Sequence, residues 1–350
     1  MKIGSRHASK RGSISVGARL TVQMLFTSLV CVNYESHMGP AFTLLRRFLT
    51  TQIKNLPYLR TVYSERDQLR AERDQYRTLW PPGHYYSSIP SIEEIKRREE
   101  IIFSRKLFPL PAVNLYEEEQ LALLDKFKEY YKEQPFSDHK QNNLRYFFSN
   151  PMYSYADAIF LYCMIRHMRP RRIIEVGSGY SSAVIMDTNE IFFQNKILCT
   201  FIDPFQSLLS LMKEGDEKRN EIIKKKLQDV DVDVFSKLSA RDILFIDSTH
   251  VSKIDSDVNL IFFCILPRLK RDVYVHFHDV FYPFEYPKEW VYEGRAWNEA
   301  YLLRAFLQYN DAYKIVLFND FLAHFHEDKL SELPLCMKNT GGSIWIKRIR

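Results

Sequence analysis

Ile173-Ile174-Glu175-Val176-Gly177-Ser178-Gly179-Tyr180-Ser181-Ser182 reads as a strand running into a Gly-x-Gly turn and then into a helix. Gly177 and Gly179 let the backbone turn tightly and admit a ligand with no Cβ in the way. The amides of Ser181–Ala183 can face a polar group. A dinucleotide site would want a third glycine, with a pyrophosphate over the helix start. Here the third position is Ser181, and Glu175 sits near the strand end. A carboxylate there repels a pyrophosphate and suits a cation, which disfavours a nicotinamide-dependent dehydrogenase. Asp203 follows 28 residues later, at the end of the next apolar run. An acid at that place can accept two ribose hydroxyls.

Outward from this turn, apolar runs alternate with helical periods from residue 151 on. Strands are expected at Arg171–Val176, Ile197–Asp203, Glu221–Lys225, Asp242–Asp247, Asp272–His278, Tyr313–Phe318 and Ser343–Lys347. Helical patterns cover Ser182–Asn189, Phe205–Met212, Val232–Leu238, Asp257–Leu269 and Asn298–Tyr309. Such alternation argues for a mostly parallel sheet covered on both faces. No helical pattern separates the last two strands, so they are expected as an antiparallel pair at one edge. Ligands of such sheets bind at the carboxyl ends of the strands. Three strands end there in acids, Asp203, Asp247 and Asp279, and unpaired burial of carboxylates costs several kcal/mol.

Glu175–Ser182 together with Phe201-Ile202-Asp203-Pro204 resembles the first two motifs of the class I S-adenosylmethionine-dependent methyltransferases. Gly179-Tyr180-Ser181 resembles the variant of the catechol-type, metal-dependent O-methyltransferases. Ile246-Asp247-Ser248-Thr249-His250, with Leu266-Pro267-Arg268-Leu269 and His278-Asp279, is similar to the bacterial subfamily that tailors antibiotics, sugars and polysaccharides. The resemblance covers about residues 151–350. It implies an α/β, Rossmann-like methyltransferase fold: a mostly parallel seven-stranded sheet, helices on both faces, an antiparallel edge strand. It also implies S-adenosylmethionine as cofactor, with Glu175, Gly177 and Gly179 at its methionine part. Ser178, Tyr180 and Ser181 of the same turn join the cofactor set, Asp203 holds the ribose, and Asp229 lies near the adenine.

Methyl transfer to oxygen requires the acceptor hydroxyl to lose its proton, so a base or a pKa-lowering metal is needed. By resemblance the corresponding positions are Asp247, His250 and Asp279. His250 is the expected base, with Asp247 beside it; its ordinary pKa is about 6.5. Asp247 would raise that value and a bound metal would lower it. The family often has lysine at this position, and its Asp-Asn pair after strand five is replaced by His278-Asp279-Val280. The expected metal ligands are Asp247, Asp279 and His278. An oxygen-rich set favours Mg²⁺, and two imidazoles tilt toward a transition metal. His276 shares a strand face with His278, as a ligand or as a core histidine. His324 and His326 are expected in a loop, with structural or surface roles. Residues 281–297 form an aromatic loop suited to sugar rings or planar acceptors. Tyr282, Glu285, Arg295, Trp297 and Asn298 are its candidate acceptor contacts.

The full chain carries 49 Lys and Arg against 43 Asp and Glu, a net +6. Residues 1–64 alone hold nine basic residues and one acid, leaving the rest at −2. A nucleic-acid surface over the main domain is therefore not expected. Five scattered cysteines without metal spacing read as reduced thiols in a cytoplasmic setting. The longest apolar run, Leu20–Val32, falls short of the roughly 20 residues a span needs, so no stable membrane insertion is expected. Residues 1–61 read as a basic, poorly ordered arm; a tail, a transit or signal peptide, and sequence upstream of a start at Met38 remain open. Residues 62–150 read as a helical extension, with helices at about 92–105 and 116–134 and a capping box at Ser91/Glu94. Glu65-Arg66-Asp67-Gln68 recurs as Glu72-Arg73-Asp74-Gln75, placing Val62, Leu69 and Tyr76 on one heptad position. That seam suits packing on the main domain or a homodimer through the N-terminal helices.

The reading that results is O-methylation of a hydroxylated small molecule or glycan. A hydroxylase or oxygenase on the same fold, and a non-catalytic cofactor-binding scaffold, are the alternatives.

Overall fold

A computed structural model describes residues 57–75, 79–104, 109–205 and 207–350. The expected N-terminal arm and the Leu20–Val32 run lie outside them, apart from the last residues of the arm. The chain divides into two compact units between Pro81 and Pro82. In the first, α1 (Pro57–Gln75) carries the heptad, and Val62 and Leu69 are both exposed. Tyr76 lies outside the described residues. No helix among the described residues is long and apolar enough to cross a membrane.

The second unit holds α2 (Ile92–Arg97), α3 (Glu117–Tyr131), α4 (Tyr155–Met168), β1 (Arg172–Val176), α5 (Tyr180–Phe193), β2 (Leu198–Ile202), β3 (Glu221–Ile223), β4 (Ile243–Ile246), β5 (Tyr274–His278), α6 (Glu299–Leu307), β6 (Tyr313–Phe318), α7 (Asn319–Phe325) and β7 (Ser343–Arg348). Ser91 caps α2 as its spacing predicts, accepting from the Glu94 amide at 3.3 Å. The strands form one sheet in the order β3-β2-β1-β4-β5-β7-β6. β7 runs antiparallel to both β5 and β6, and the other pairings are parallel. The seven strands and the antiparallel β6–β7 edge are those the sequence implies. Consecutive side chains point to opposite faces. In β4 every residue is buried, and in β1 and β5 all but the first. Both faces are therefore covered.

Two expectations are corrected. The stretch between β6 and β7 is helical: α7 is followed by helical turns at Glu327–Leu330 and Pro334–Lys338. His324 therefore lies on a helix. Phe321 and Leu322 are fully buried there, so tertiary packing sets the helix where the local pattern is short. The helix expected over Asp257–Leu269 is α-helical only to Leu260; it then widens over Ile261–Ile265 and tightens over Leu266–Arg268 at Pro267.

One buried ion network fixes how α5 leaves the glycine turn. The Arg145 guanidinium, 1% exposed, donates to Asp187 (2.7 Å) and Glu190 (2.6 Å) on α5, and twice to Asp216 (2.6 and 2.7 Å). The Arg145 and Tyr146 amides also donate to Asp187, at 2.8 and 2.9 Å. Nearly every polar atom of this charge cluster is thus paired.

Candidate active site

The strand–turn–helix of residues 173–182 forms as its sequence predicts. Gly177 has φ +81°, and a Cβ there would sit 1.9 Å from the Asp247 carbonyl oxygen. The first glycine is thus required by the close approach of β1's exit to β4's exit. Gly179 is extended, and nothing lies within 4 Å of where its Cβ would be. The backbone of Gly179 therefore borders open space.

Glu175 is fully buried. Its carboxyl oxygens accept from the Ser181 hydroxyl at 2.5 Å and from the Ser182 hydroxyl. Glu175 thus ties the strand to the helix start. Burial pushes its carboxyl up to about 8, against the opposing pull of the two hydroxyls. A carboxyl raised above its unfolded value of 4.5 is favoured in its protonated form by folding. That contribution is complete below about 4.5 and is lost as pH rises through about 8. Glu175→Gln mimics the protonated form. Its melting temperature relative to the parent should climb between pH 5 and 8 and then level off; a pH-independent difference would contradict this.

Asp203, 8% exposed, accepts from the Ser178 amide (3.3 Å) and the Phe205 amide (2.7 Å). It stands at the end of β2 beside the turn. Tyr180 packs its ring edge-on against Phe147 at 5.7 Å. Asp229 is exposed on the turn Leu227–Asp229 after β3, and among the described residues no hydrogen bond ties it to the glycine turn.

At the ends of β4 and β5, Asp247, His250 and Asp279 converge, each offering one ligand atom within 4.8 Å of the others. His250 Nε2 is 3.3 Å from Asp247 and 3.5 Å from Asp279. Its Nδ1 is 2.8 Å from Glu299, which is 1% exposed and also accepts from the Ser248 hydroxyl at 2.9 Å. Burial opposes charge on the imidazole, but hydrogen bonds to Asp247 and Glu299 outweigh it and push the pKa up to about 10. His250 and Asp279 both have left-handed backbones, φ +58° and +56°. Such conformations persist in non-glycine residues only where the surroundings hold them. For His250 the restraint is visible: its carbonyl accepts from the Asn298 and Glu299 amides at 3.0 and 3.1 Å.

Two carboxylate oxygens and one imidazole nitrogen, with a carboxylate behind the imidazole, form a donor set suited to a divalent cation with open positions. The residues present therefore fit such an ion. His278 stands outside this trio, with Nε2 3.4 Å from Asp279. His276 is fully buried, stacked on Phe245 at 4.0 Å, and burial holds its pKa well below the ordinary value. It is a neutral core histidine.

The aromatic loop divides. Trp297 packs on His250 with ring centroids 4.4 Å apart, and Arg295 lies over both Trp290 (4.2 Å) and Trp297 (5.1 Å). Glu285, Trp297 and Asn298 line a cavity of about 380 Å³ facing residues 88–103. Asn298 also accepts from the Ser252 amide at 2.6 Å. Tyr282 is fully buried against Phe318, Phe321 and Phe325 and lines neither cavity beside the site. Its expected acceptor contact is absent from this geometry because α7, unseen in the sequence pattern, covers it.

Sequence reasoning missed Glu299 and Asp157. Glu299 starts α6, 49 residues after the histidine it holds. Asp157, 6% exposed on α4, accepts from Asn319 (2.9 Å) and from the Gly342 amide (3.2 Å). The one available signal was the Gly341-Gly342 pair. Gly341 has φ +71°, and a Cβ on it would lie 2.4 Å from an Asp157 oxygen.

A family model described as a methyltransferase domain matches residues 174–280. An uncharacterized protein of Archaeoglobus fulgidus is 36% identical over 165 residues, spanning 46% of this chain and 74% of that protein. Among solved structures, the Podospora anserina methyltransferase PaMTH1, bound to S-adenosylhomocysteine, is 14% identical with a TM-score of 0.40, covering 75% of this chain and 99% of that one. The O-methyltransferase TomG of Streptomyces achromogenes, involved in tomaymycin synthesis and in complex with S-adenosylmethionine, is 15% identical with a TM-score of 0.39, covering 73% and 99%.

Proposed function

We propose that this chain is a class I S-adenosylmethionine-dependent methyltransferase and that it methylates a hydroxyl oxygen of a small molecule or glycan at the rim above β1, β4 and β5. The observation that carries this reading is the convergence of Asp247, His250 and Asp279 one strand away from the Gly177–Gly179 turn. The cofactor supplies an electrophilic methyl group on a sulfonium centre. Gly179, which borders open space, would leave room for its methionine part, and Asp203 at the end of β2 would accept from its ribose hydroxyls.

Asp247, His250 and Asp279 would hold a divalent ion, which lowers the pKa of a bound acceptor hydroxyl. Glu299 fixes which His250 nitrogen serves that purpose: Nδ1–H donates to Glu299, and Nε2 faces the two carboxylates. Ligand and base are exclusive roles for Nε2. An imidazole raised to about 10 holds its proton at neutral pH, and either role, ligand or the base expected from sequence, requires that proton to leave Nε2. Metal binding must then release that proton, so affinity for the ion should rise with pH.

A screen with methyl-labelled cofactor, with and without Mg²⁺, tests this function. Label should appear on hydroxylated acceptors and disappear with a chelator. Chelator-insensitive transfer would remove the metal and return His250 to the base role. Oxygen uptake without methyl transfer would favour the hydroxylase alternative instead.

A further inference from the structure

Asp279 leaves β5 in a left-handed backbone, φ +56°, and the bonds that hold it there start on α4. The next residue, Val280, donates its amide to the Gly342 carbonyl at 3.1 Å. The Gly342 amide in turn donates to Asp157 at 3.2 Å, and the second Asp157 oxygen accepts from Asn319 at 2.9 Å. Gly342 thus links a buried carboxylate on α4 to the backbone just past Asp279. The turn that carries Gly342 is moored to the start of α4 twice more. The Ala156 amide donates to the Asn339 carbonyl at 3.1 Å, and the Asn339 side-chain amide donates to the Ser154 hydroxyl at 2.8 Å. Close packing does not replace these bonds, because Asp279 and residues 339–342 line a cavity of about 640 Å³ and face open space on that side. Nor does Gly342 tolerate a larger residue: a Cβ there would lie 2.3 Å from the Phe281 ring.

We propose that Asp157 is a positioning residue for the trio: by holding Gly342 it fixes the backbone at Asp279, and so sets where the Asp279 carboxylate stands against His250 and Asp247. This rests on the reading of the trio as the place of a divalent ion. A left-handed aspartate relaxes to the commoner backbone regions once its neighbours release it. Such a relaxation swings the Cα–Cβ bond and carries the carboxylate away from its place 3.5 Å from His250 Nε2. Residues that orient a metal ligand govern affinity for the ion without touching it. The two left-handed members of the trio are then pinned in parallel ways. The His250 carbonyl is held by the amides at the start of α6, and the Val280 amide by the turn that Asp157 anchors. What Asp157 contributes is an acceptor oxygen for the Gly342 amide, which an uncharged side chain of the same shape also offers.

The full chain is titrated with Mn²⁺, the free ion being read by electron paramagnetic resonance, and separately, without metal, with S-adenosylhomocysteine by calorimetry. Asp157→Ala should weaken Mn²⁺ binding about tenfold and leave affinity for S-adenosylhomocysteine within about twofold of the parent. Asp157→Asn should restore Mn²⁺ affinity to within about threefold, since its carbonyl oxygen still accepts from the Gly342 amide and Asn319 can turn its own oxygen to the new amide. Should the alanine variant not fold, Asn319→Ala, which releases the other Asp157 oxygen, takes its place and should show a smaller loss of Mn²⁺ affinity alone. Equal losses in the alanine and asparagine variants would assign the effect to charge and overturn the proposal. Parallel losses of Mn²⁺ and S-adenosylhomocysteine affinity would overturn it too, by making Asp157 a general support of the fold. Parental Mn²⁺ affinity in the alanine variant sinks the proposal alone, whereas a parent chain that binds no Mn²⁺ sinks the reading of the trio and the proposal with it.

Discussion

Replacing Asp247 with asparagine should lower turnover by about 10²–10³-fold while cofactor affinity stays within a few-fold of the parent. The substitution keeps the shape of the side chain and removes one of the two negative charges that face His250 Nε2 at 3.3 and 3.5 Å. Loss of a ligand or of the matching charge at such a centre costs several kcal/mol of transition-state stabilisation. The backbone carbonyl of Asp247, which packs on Gly177, is untouched, so the glycine turn keeps its shape. Turnover should be followed with methyl-labelled cofactor and affinity by calorimetry. A variant with near-parental turnover would take Asp247 out of the chemistry. A variant that loses cofactor binding to the same extent would make the residue a scaffold for the turn. Glu299→Gln is the companion experiment. Its amide cannot accept the Nδ1 proton in the manner of a carboxylate, so metal affinity should fall about 10–100-fold. The fold should persist, because the glutamine retains volume and can still accept from Ser248.

Arg145→Met should destabilise the second unit by about 3–5 kcal/mol, since it strands carboxylates buried against a guanidinium that is itself 1% exposed. Asp187 keeps two amide donors and Asp216 keeps the Lys213 amide at 2.7 Å, so the loss falls chiefly on charge compensation. Arg145→Lys retains the charge but not the fork that reaches Asp187, Glu190 and Asp216 together, and should lie between methionine and the parent. Denaturant midpoints with unchanged slopes give the comparison. A methionine variant as stable as the parent would show that the network's desolvation cost equals its attraction. The consequence for function is geometric. Arg145 holds α5, and α5 begins at the glycine turn, so a loosened network should also disturb that turn.

The features legible in the sequence share a physical cause. A parallel strand buried on both faces must be continuously apolar, and its carboxyl end must exit through a polar rim. Glu175, Asp203, Asp247 and Asp279 therefore stand out against their apolar neighbours. The Gly177–Gly179 turn is legible because close approach to Asp247 admits no side chain. What was not legible depends on contacts between distant segments. Glu299 meets His250 across 49 residues, and Asn319 meets Asp157 across 162. No periodicity encodes either pairing. The left-handed backbones at His250 and Asp279 are likewise imposed by neighbours rather than by residue type. Tyr282 was misread for the same reason: a tyrosine in an aromatic loop looks like a ligand contact until the helix that buries it is known. His250 carried its own ambiguity. A histidine three residues after a strand-end acid suits a base or a ligand, and the Glu299 carboxylate behind its ring orients it for either role.

The central claim is that this chain holds S-adenosylmethionine between the glycine turn and Asp203. A calorimetric titration of the full chain with S-adenosylhomocysteine, beside the Asp203→Ala variant, tests it most directly. The account predicts saturable binding at one site per chain and a weakening of about 10–100-fold in the variant, from the loss of charge-assisted hydrogen bonds to the ribose. No saturable binding, or binding that Asp203→Ala leaves unchanged, would contradict it.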